Sequence, residues 1–219
     1  MSEILEPTFE QPGDNLLWSE VWITVLARPS IYTFERIIRD PHACPRRAYL
    51  WLFTSGIIGG LISSLAIDRI DGINTGLIKI TFEPIITAMA CMMSLIFVTW
   101  VIQLIAGTLY GGRGNYASMI YTTAAFWAPL FIINSLILGI PYVQFLALPL
   151  SIYELILGVI ALKAVNKIGW WQAADSYIGS IIVVIGIGAV ITLFTGLWRK
   201  CCGNAKNFSL FDRLQATLK

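Results

Sequence analysis

Charge is what this sequence has least of. Asp, Glu, Lys and Arg together make up 13% of its 219 residues, against about 25% in soluble domains. A soluble chain of this length needs far more polar surface to cover its core. The net charge of +2 is too small for the electrostatic footprint of a nucleic-acid binder. Histidine and cysteine are also scarce, at one and four residues. His42 and Cys44 are too few ligands to hold a metal by themselves. Cys44, Cys91 and the adjacent Cys201-Cys202 give no CxxC spacing and no disulfide framework. Cys91, inside an apolar run, reads as a small packed hydrophobe. Residues 1–15 contain Glu3, Glu6, Glu10 and Asp14 but no Lys or Arg. That is the reverse of a signal peptide's basic start, so we expect no cleaved leader and an acidic disordered tail. No GxSxG, HExxH or paired-carboxylate constellation stands on a recognisable scaffold, so the expectation is a non-enzyme that names no cofactor.

What fills the space is hydrophobic sequence, 57% of the chain. Residues 48–67 carry no charge, with Arg46-Arg47 before them and Asp68-Arg69 behind. Twenty residues at about 1.5 Å rise each just cross a hydrocarbon core of about 30 Å, which makes this a first span. A second is expected over 84–108, with Pro84 in its first turn, where the missing N–H costs nothing. The next uncharged stretch, Gly114 to Tyr153, runs for 40 residues and is too long for one crossing. Gly139-Ile140-Pro141 is its natural break, giving a third span at 116–139 and a fourth at 142–163. Pro129 and Pro149 each free a carbonyl four residues earlier, at Ala125 and Phe145, and should kink these helices. Trp170 and Trp171 suit a membrane interface. Asp175 or Ser176 can cap a fifth span over 176–198. The fold class is therefore all-α, a polytopic membrane bundle with a membrane domain over 41–200.

The flanks are amphipathic. In 16–40, a helical wheel gathers Trp18, Val21, Trp22 and Val25 on one side, with Glu20, Thr24 and Arg28 opposite. After Pro29 a second short helix puts Ile31, Phe34 and Ile38 together, and Pro41 stops it. In the tail, 201–219, Leu210, Leu214 and Leu218 recur after a possible Ser209 cap. Both ends read as interfacial helices lying on the bilayer, with a soluble partner's groove as the rival use of such faces. For orientation, an internal N-terminus leaves eight Lys and Arg inside against seven outside. Arg36, Arg39, Arg46 and Arg47 on the first span's flank decide for N-inside.

Two features carry candidate function. Gly56, Gly60 and Ser64 repeat at four-residue spacing, as do Gly188, Thr192 and Gly196, and small residues so spaced let membrane helices approach closely. The bland use is packing within the chain; the sharper one is an oligomer or partner contact. Glu154, near the middle of span four, is the candidate intramembrane polar site, because an unpaired carboxylate there is expensive. It is a protonated structural residue, a proton or substrate site, or a contact for a partner helix. Asn134, Gln103 and Tyr153 are its possible polar company. Lys163, nine residues further on, reads as snorkelling to the interface. GGRGN at 111–115 lacks both the GxxxxGK[ST] pattern and a preceding strand, which argues against nucleotide binding.

The stretch LYGGRGNYASMIYTTAAFWAPLFIINSLILGIP, 109–141, resembles the Yip-domain family of small multispan membrane proteins, named for members that interact with Rab-type GTPases. The shared pattern is a Gly-Gly turn, a small residue and an aromatic, then a span with a mid-helix Pro and a second Pro at its end. Here these are Gly111, Gly112, Gly114, Tyr116, Pro129 and Pro141. The segment VLARPSIYTFERIIRDP, 25–41, is similar to the family's pre-membrane segment. The resemblance implies five spans and a cytoplasmic N-terminus. Trafficking members carry an Asp-Leu-Tyr-Gly-Pro motif that is absent here, so it implies the bacterial type, in the cytoplasmic membrane, rather than Rab binding.

Three functions are expected to compete. The first is a non-catalytic accessory subunit or organiser of a membrane complex, with the lipid bilayer and other membrane subunits or further copies of itself as partners. The second is a small transporter or channel component using Glu154. The third is lipid or membrane-curvature handling through the interfacial helices.

Overall fold

The computed structural model describes residues 16–71 and 77–206, with 67–71, 77–80, 141, 191 and 194–206 in backbone only. The acidic N-terminal tail and the Leu210, Leu214, Leu218 helix fall outside the described residues. Within them the chain is all-helical. The helices are α1 (Trp18–Ala27), α2 (Ile31–Ile38), α3 (Pro45–Asp71), α4 (Leu77–Tyr110), α5 (Tyr116–Leu138), α6 (Ala147–Asn166) and α7 (Trp170–Lys206). Five of them, α3 to α7, are long and apolar enough to cross a membrane. The chain forms two compact units, one up to Ile178 and one from Gly179 onward.

Local sequence explains the helix ends. Pro45 opens α3 at the position where a missing N–H is harmless. Asn115 caps α5, its side chain accepting from the Ala117 N–H at 3.1 Å. Ser30 caps α2, accepting from the Thr33 N–H at 3.1 Å. Glu20 reaches back to the Leu17 N–H at 2.9 Å and steadies the start of α1. After α5 ends at Leu138, a 3-10 turn over Pro141–Leu146 leads into α6.

Three expectations are corrected. Pro84 is not in a first turn; it lies inside α4, which begins at Leu77. Gly60 of α3 leaves room for the Pro84 Cα, so the two helices approach closely there. Pro149 is not mid-helix: the 3-10 turn delays α6 to Ala147, so this Pro falls in the first turn and breaks no ladder bond. Pro129 does lie inside α5, buried, and leaves the Ala125 carbonyl without its usual donor. Asp175 and Ser176 do not cap α7, which starts at Trp170. There Gln172 accepts from the Gly169 N–H at 2.9 Å, while Asp175 receives the Tyr110 hydroxyl at 2.9 Å.

In the first unit α3 is wedged between α4 and α5. A methyl group at Gly56 would collide with the backbone of Ala88, and one at Gly59 with the ring of Phe131. Ser64, buried, turns its hydroxyl back to the Gly60 carbonyl at 2.8 Å. The 56/60 face therefore meets α4 of the same chain, backbone against side-chain stub. α6 packs on α5 and on α2.

The N-terminal helices fold onto this bundle. Val21 and Val25 of α1 are fully buried, and α1 touches α5. Trp51 of α3 collects Trp18 at 6.0 Å, Trp22 at 6.1 Å and Tyr121 at 5.1 Å between ring centroids. The apolar side of α1 read as facing the bilayer is thus largely covered by the chain's own aromatic residues. In α2 the buried set is Thr33, Phe34 and Ile37 rather than Ile31, Phe34 and Ile38. Phe34 meets Phe126 edge-on at 6.3 Å. Thr33 sits inside because its hydroxyl has a partner, the Arg28 carbonyl at 2.8 Å.

Candidate interaction site at the loop end of the bundle

The α4–α5 loop turns sharply at Gly111, whose φ of 64° suits a residue without a Cβ. Gly112 closes the turn by donating its N–H to Ala106 at 3.0 Å. Gly112 and Gly114 then pass so close to Asn166 that a methyl on either would overlap its side chain. Asn166 is the last residue of α6 and is 2% exposed. Its Oδ1 accepts from the Gly114 N–H at 3.2 Å and from Gln103 Nε2 at 3.0 Å. Its Nδ2 donates back to Gln103 Oε1 at 3.2 Å, and Gln103 Nε2 also donates to the Gly114 carbonyl at 2.6 Å. Two side-chain amides thus pair reciprocally and tie α4, the glycine loop and α6 together. Tyr116 adds a bond from its hydroxyl to the Ile96 carbonyl at 3.3 Å. The chain leaves α6 through Lys167 in the left-handed conformation, φ 53°.

A second clamp holds the N-terminal segment. Asp40 and Arg47, both buried, pair at 2.9 Å. The other Asp40 oxygen accepts from the His42 N–H at 2.9 Å, and Arg47 Nη2 donates to the Leu16 carbonyl at 2.6 Å. The guanidinium lies 5.1 Å from the Trp51 ring centroid. A pair so surrounded fixes geometry more than it adds stability, because desolvation offsets most of the attraction. Arg46, its neighbour, stays exposed. From sequence both arginines were span-flanking charges; only the position of Asp40 separates them.

Glu154 does not meet the company expected for it. Gln103 pairs with Asn166, and Tyr153 donates to the Leu26 carbonyl at 2.5 Å, joining α6 to α1. The Asn134 carbonyl oxygen is buried with no hydrogen-bond partner. Glu154 lies instead near Trp127 and Tyr177. The Tyr177 ring lies against Gly158, one turn along α6 from Glu154, where any side chain would displace it. Trp127 is itself stacked on Phe131 at 4.9 Å. Lys163 reaches the Ile168 carbonyl at 3.3 Å and lies 4.8 Å from the Trp170 ring centroid. It therefore binds the α6–α7 turn.

The second small-residue face lies in the second unit. There the Thr192 hydroxyl donates to the Gly188 carbonyl at 2.8 Å, while the side-chain surroundings of Gly196 fall outside the described set. Pro141 begins the 3-10 turn. The glycine clamp was legible as a turn, but not as a contact with Asn166, which lies 63 residues from Gln103 and looks like any polar residue at a helix end.

Comparison with curated proteins and with solved structures gives no match. The family model described as the Yip1 domain matches residues 23–193, well over half of the chain, including the whole glycine clamp and the Asp40–Arg47 pair. This multi-pass helical membrane protein belongs to the Yip1-domain family.

Proposed function

We propose that the chain is a non-catalytic accessory subunit or organiser of a larger membrane complex, in a bacterial cytoplasmic membrane with its N-terminus inside. One observation carries the reading: α1, α2 and the glycine loop are fastened to the spans by buried polar clamps, Asp40–Arg47 and Gln103–Asn166. A segment at the mouth of a bundle held that firmly suits a preformed docking face. α1 and α2 then lie at the cytoplasmic surface, with the glycine loop and the α6–α7 turn on the same side. Purification in mild detergent tests this: partners or further copies should co-migrate at fixed stoichiometry, and a lone monomer counts against it. Orientation has its own assay. Cys44 is exposed beside the start of α3, so an impermeant maleimide should label it only after the cells are opened, once Cys201 and Cys202 are replaced.

A second reading rests on Glu154, a carboxyl inside a span with Trp127 and Tyr177 nearby. As a small transporter or channel component built around this half-buried carboxyl, the protein would lose ion-coupled flux on Glu154→Gln. Unchanged flux in proteoliposomes removes this alternative.

A further inference from the structure

The Gly114–Asn166 clamp has a neighbour on each strand of chain that it joins. Arg113 lies between Gly112 and Gly114, and Lys167 directly follows Asn166. Holding the loop against the end of α6 therefore brings two cations to one place. Arg39, at the C-terminal cap of α2, is the third. These three line a single cavity of about 180 Å³ together with Glu35, Asn115 and Ser118. Among the described residues, none of the three cationic side chains is held by an ion pair or hydrogen bond. Three cations against one carboxylate leave the wall with two uncompensated positive charges. Like charges gathered from three separate segments repel, and the fold maintains the arrangement through the buried amide pair behind it.

From this juxtaposition we infer that the cavity binds a phosphate-bearing anion. Two guanidinium groups and an ammonium suit tetrahedral phosphate oxygens better than a single carboxylate. A phosphate monoester carries about −1.5 to −2 at neutral pH, which matches the uncompensated charge. The volume equals about six waters at about 30 Å³ each, room for one phosphate group and part of its hydration shell. Asn115 and Ser118 add hydrogen-bonding groups at the start of α5. The phosphate comes either from a lipid headgroup or from a soluble ion, and the site chemistry is the same. The inference is independent of the organiser reading.

The test uses the full chain in nanodiscs. One arm titrates protein in phosphatidylcholine discs with inorganic phosphate by calorimetry. The other measures, by native mass spectrometry, how strongly phosphatidic acid, a phosphomonoester lipid, is retained over phosphatidylcholine from mixed discs. R39Q, R113Q and K167N should each weaken at least one arm about tenfold, the loss of one charge-assisted contact. Asn is chosen at 167 because it tolerates the left-handed backbone. E35Q should strengthen binding, an effect that misfolding cannot imitate. R28Q and R46Q, which remove exposed cations outside the cavity, should leave both arms unchanged. Binding in the inorganic-phosphate arm alone identifies a soluble phosphate, and retention in the lipid arm alone identifies a headgroup. The inference is overturned if neither probe binds, or if R28Q or R46Q loses as much as R113Q.

Discussion

Replacing Asn166 with Ala tests whether this residue is the hub that its hydrogen bonds describe. The substitution removes an acceptor from the Gly114 N–H and a donor from Gln103 Oε1. Gln103 Nε2 keeps its bond to the Gly114 carbonyl, so two groups are orphaned rather than three. An orphaned buried polar group costs about 1–3 kcal/mol. Both groups are only partly buried, which selects the lower half of the range for each and gives about 2–4 kcal/mol for the two. At about 2–4 °C per kcal/mol for a chain of this size, the melting temperature should fall by about 4–16 °C. Thermal unfolding in detergent, followed by tryptophan fluorescence, reads that change. Hydrogen exchange locates it: the peptide carrying Gly114 should lose protection while peptides from mid-α3 do not. Gln103→Ala should be milder, because Asn166 Nδ2 still has the Leu162 carbonyl at 3.4 Å and Oδ1 still has the Gly114 N–H. The double variant should cost less than the sum of the two. A shift under about 2 °C with unchanged exchange at Gly114, or a larger loss for Gln103→Ala, would refute the assignment of Asn166 as the hub.

Other perturbations probe the remaining contacts. Gly56→Leu must push α3 away from the Ala88 backbone; a loss of at least about 1–3 kcal/mol is expected from overpacking, read as a lower melting temperature. Asp40→Ala strands Arg47 beneath Trp51 and should destabilise by about 3–5 kcal/mol, with protease cleavage around Arg28–Pro29 appearing before the spans unfold. Cleavage at the native rate would mean that the pair does not hold the N-terminal segment. Tyr153→Phe removes one bond to the Leu26 carbonyl and should cost about 1 kcal/mol, with faster amide exchange in α1 and none in α4.

The spans were readable because membrane crossing is a composition problem, and charges at Arg46-Arg47, Arg113 and Lys163 mark where crossing stops. The break in the 40-residue uncharged run follows from Gly139 and Pro141, and α5 ends one residue before that Gly. Helix starts were read less well, for identifiable reasons. Pro84 looked like a first-turn residue because the segment before it reads as a polar loop, whereas α4 extends back to Leu77. Asp175 looked like a cap because its partner, Tyr110, is 65 residues distant. The candidate site was legible in half. Gly111, Gly112 and Gly114 announced a tight turn, but their close approach to Asn166 is a tertiary fact with no periodic signal. Asp40 and Thr33 were missed because a buried polar residue in a short flanking segment looks the same in sequence as an exposed one.

The Tyr153 hydroxyl has a mechanical consequence. It grips the last turn of α1, while the next residue on the same helix is Glu154, the one carboxyl of α6. Lifting α1 from its seat therefore either ruptures that bond or drags on α6 beside Glu154. A partner that pulls on α1 would reach the surroundings of that carboxyl through a single hydrogen bond.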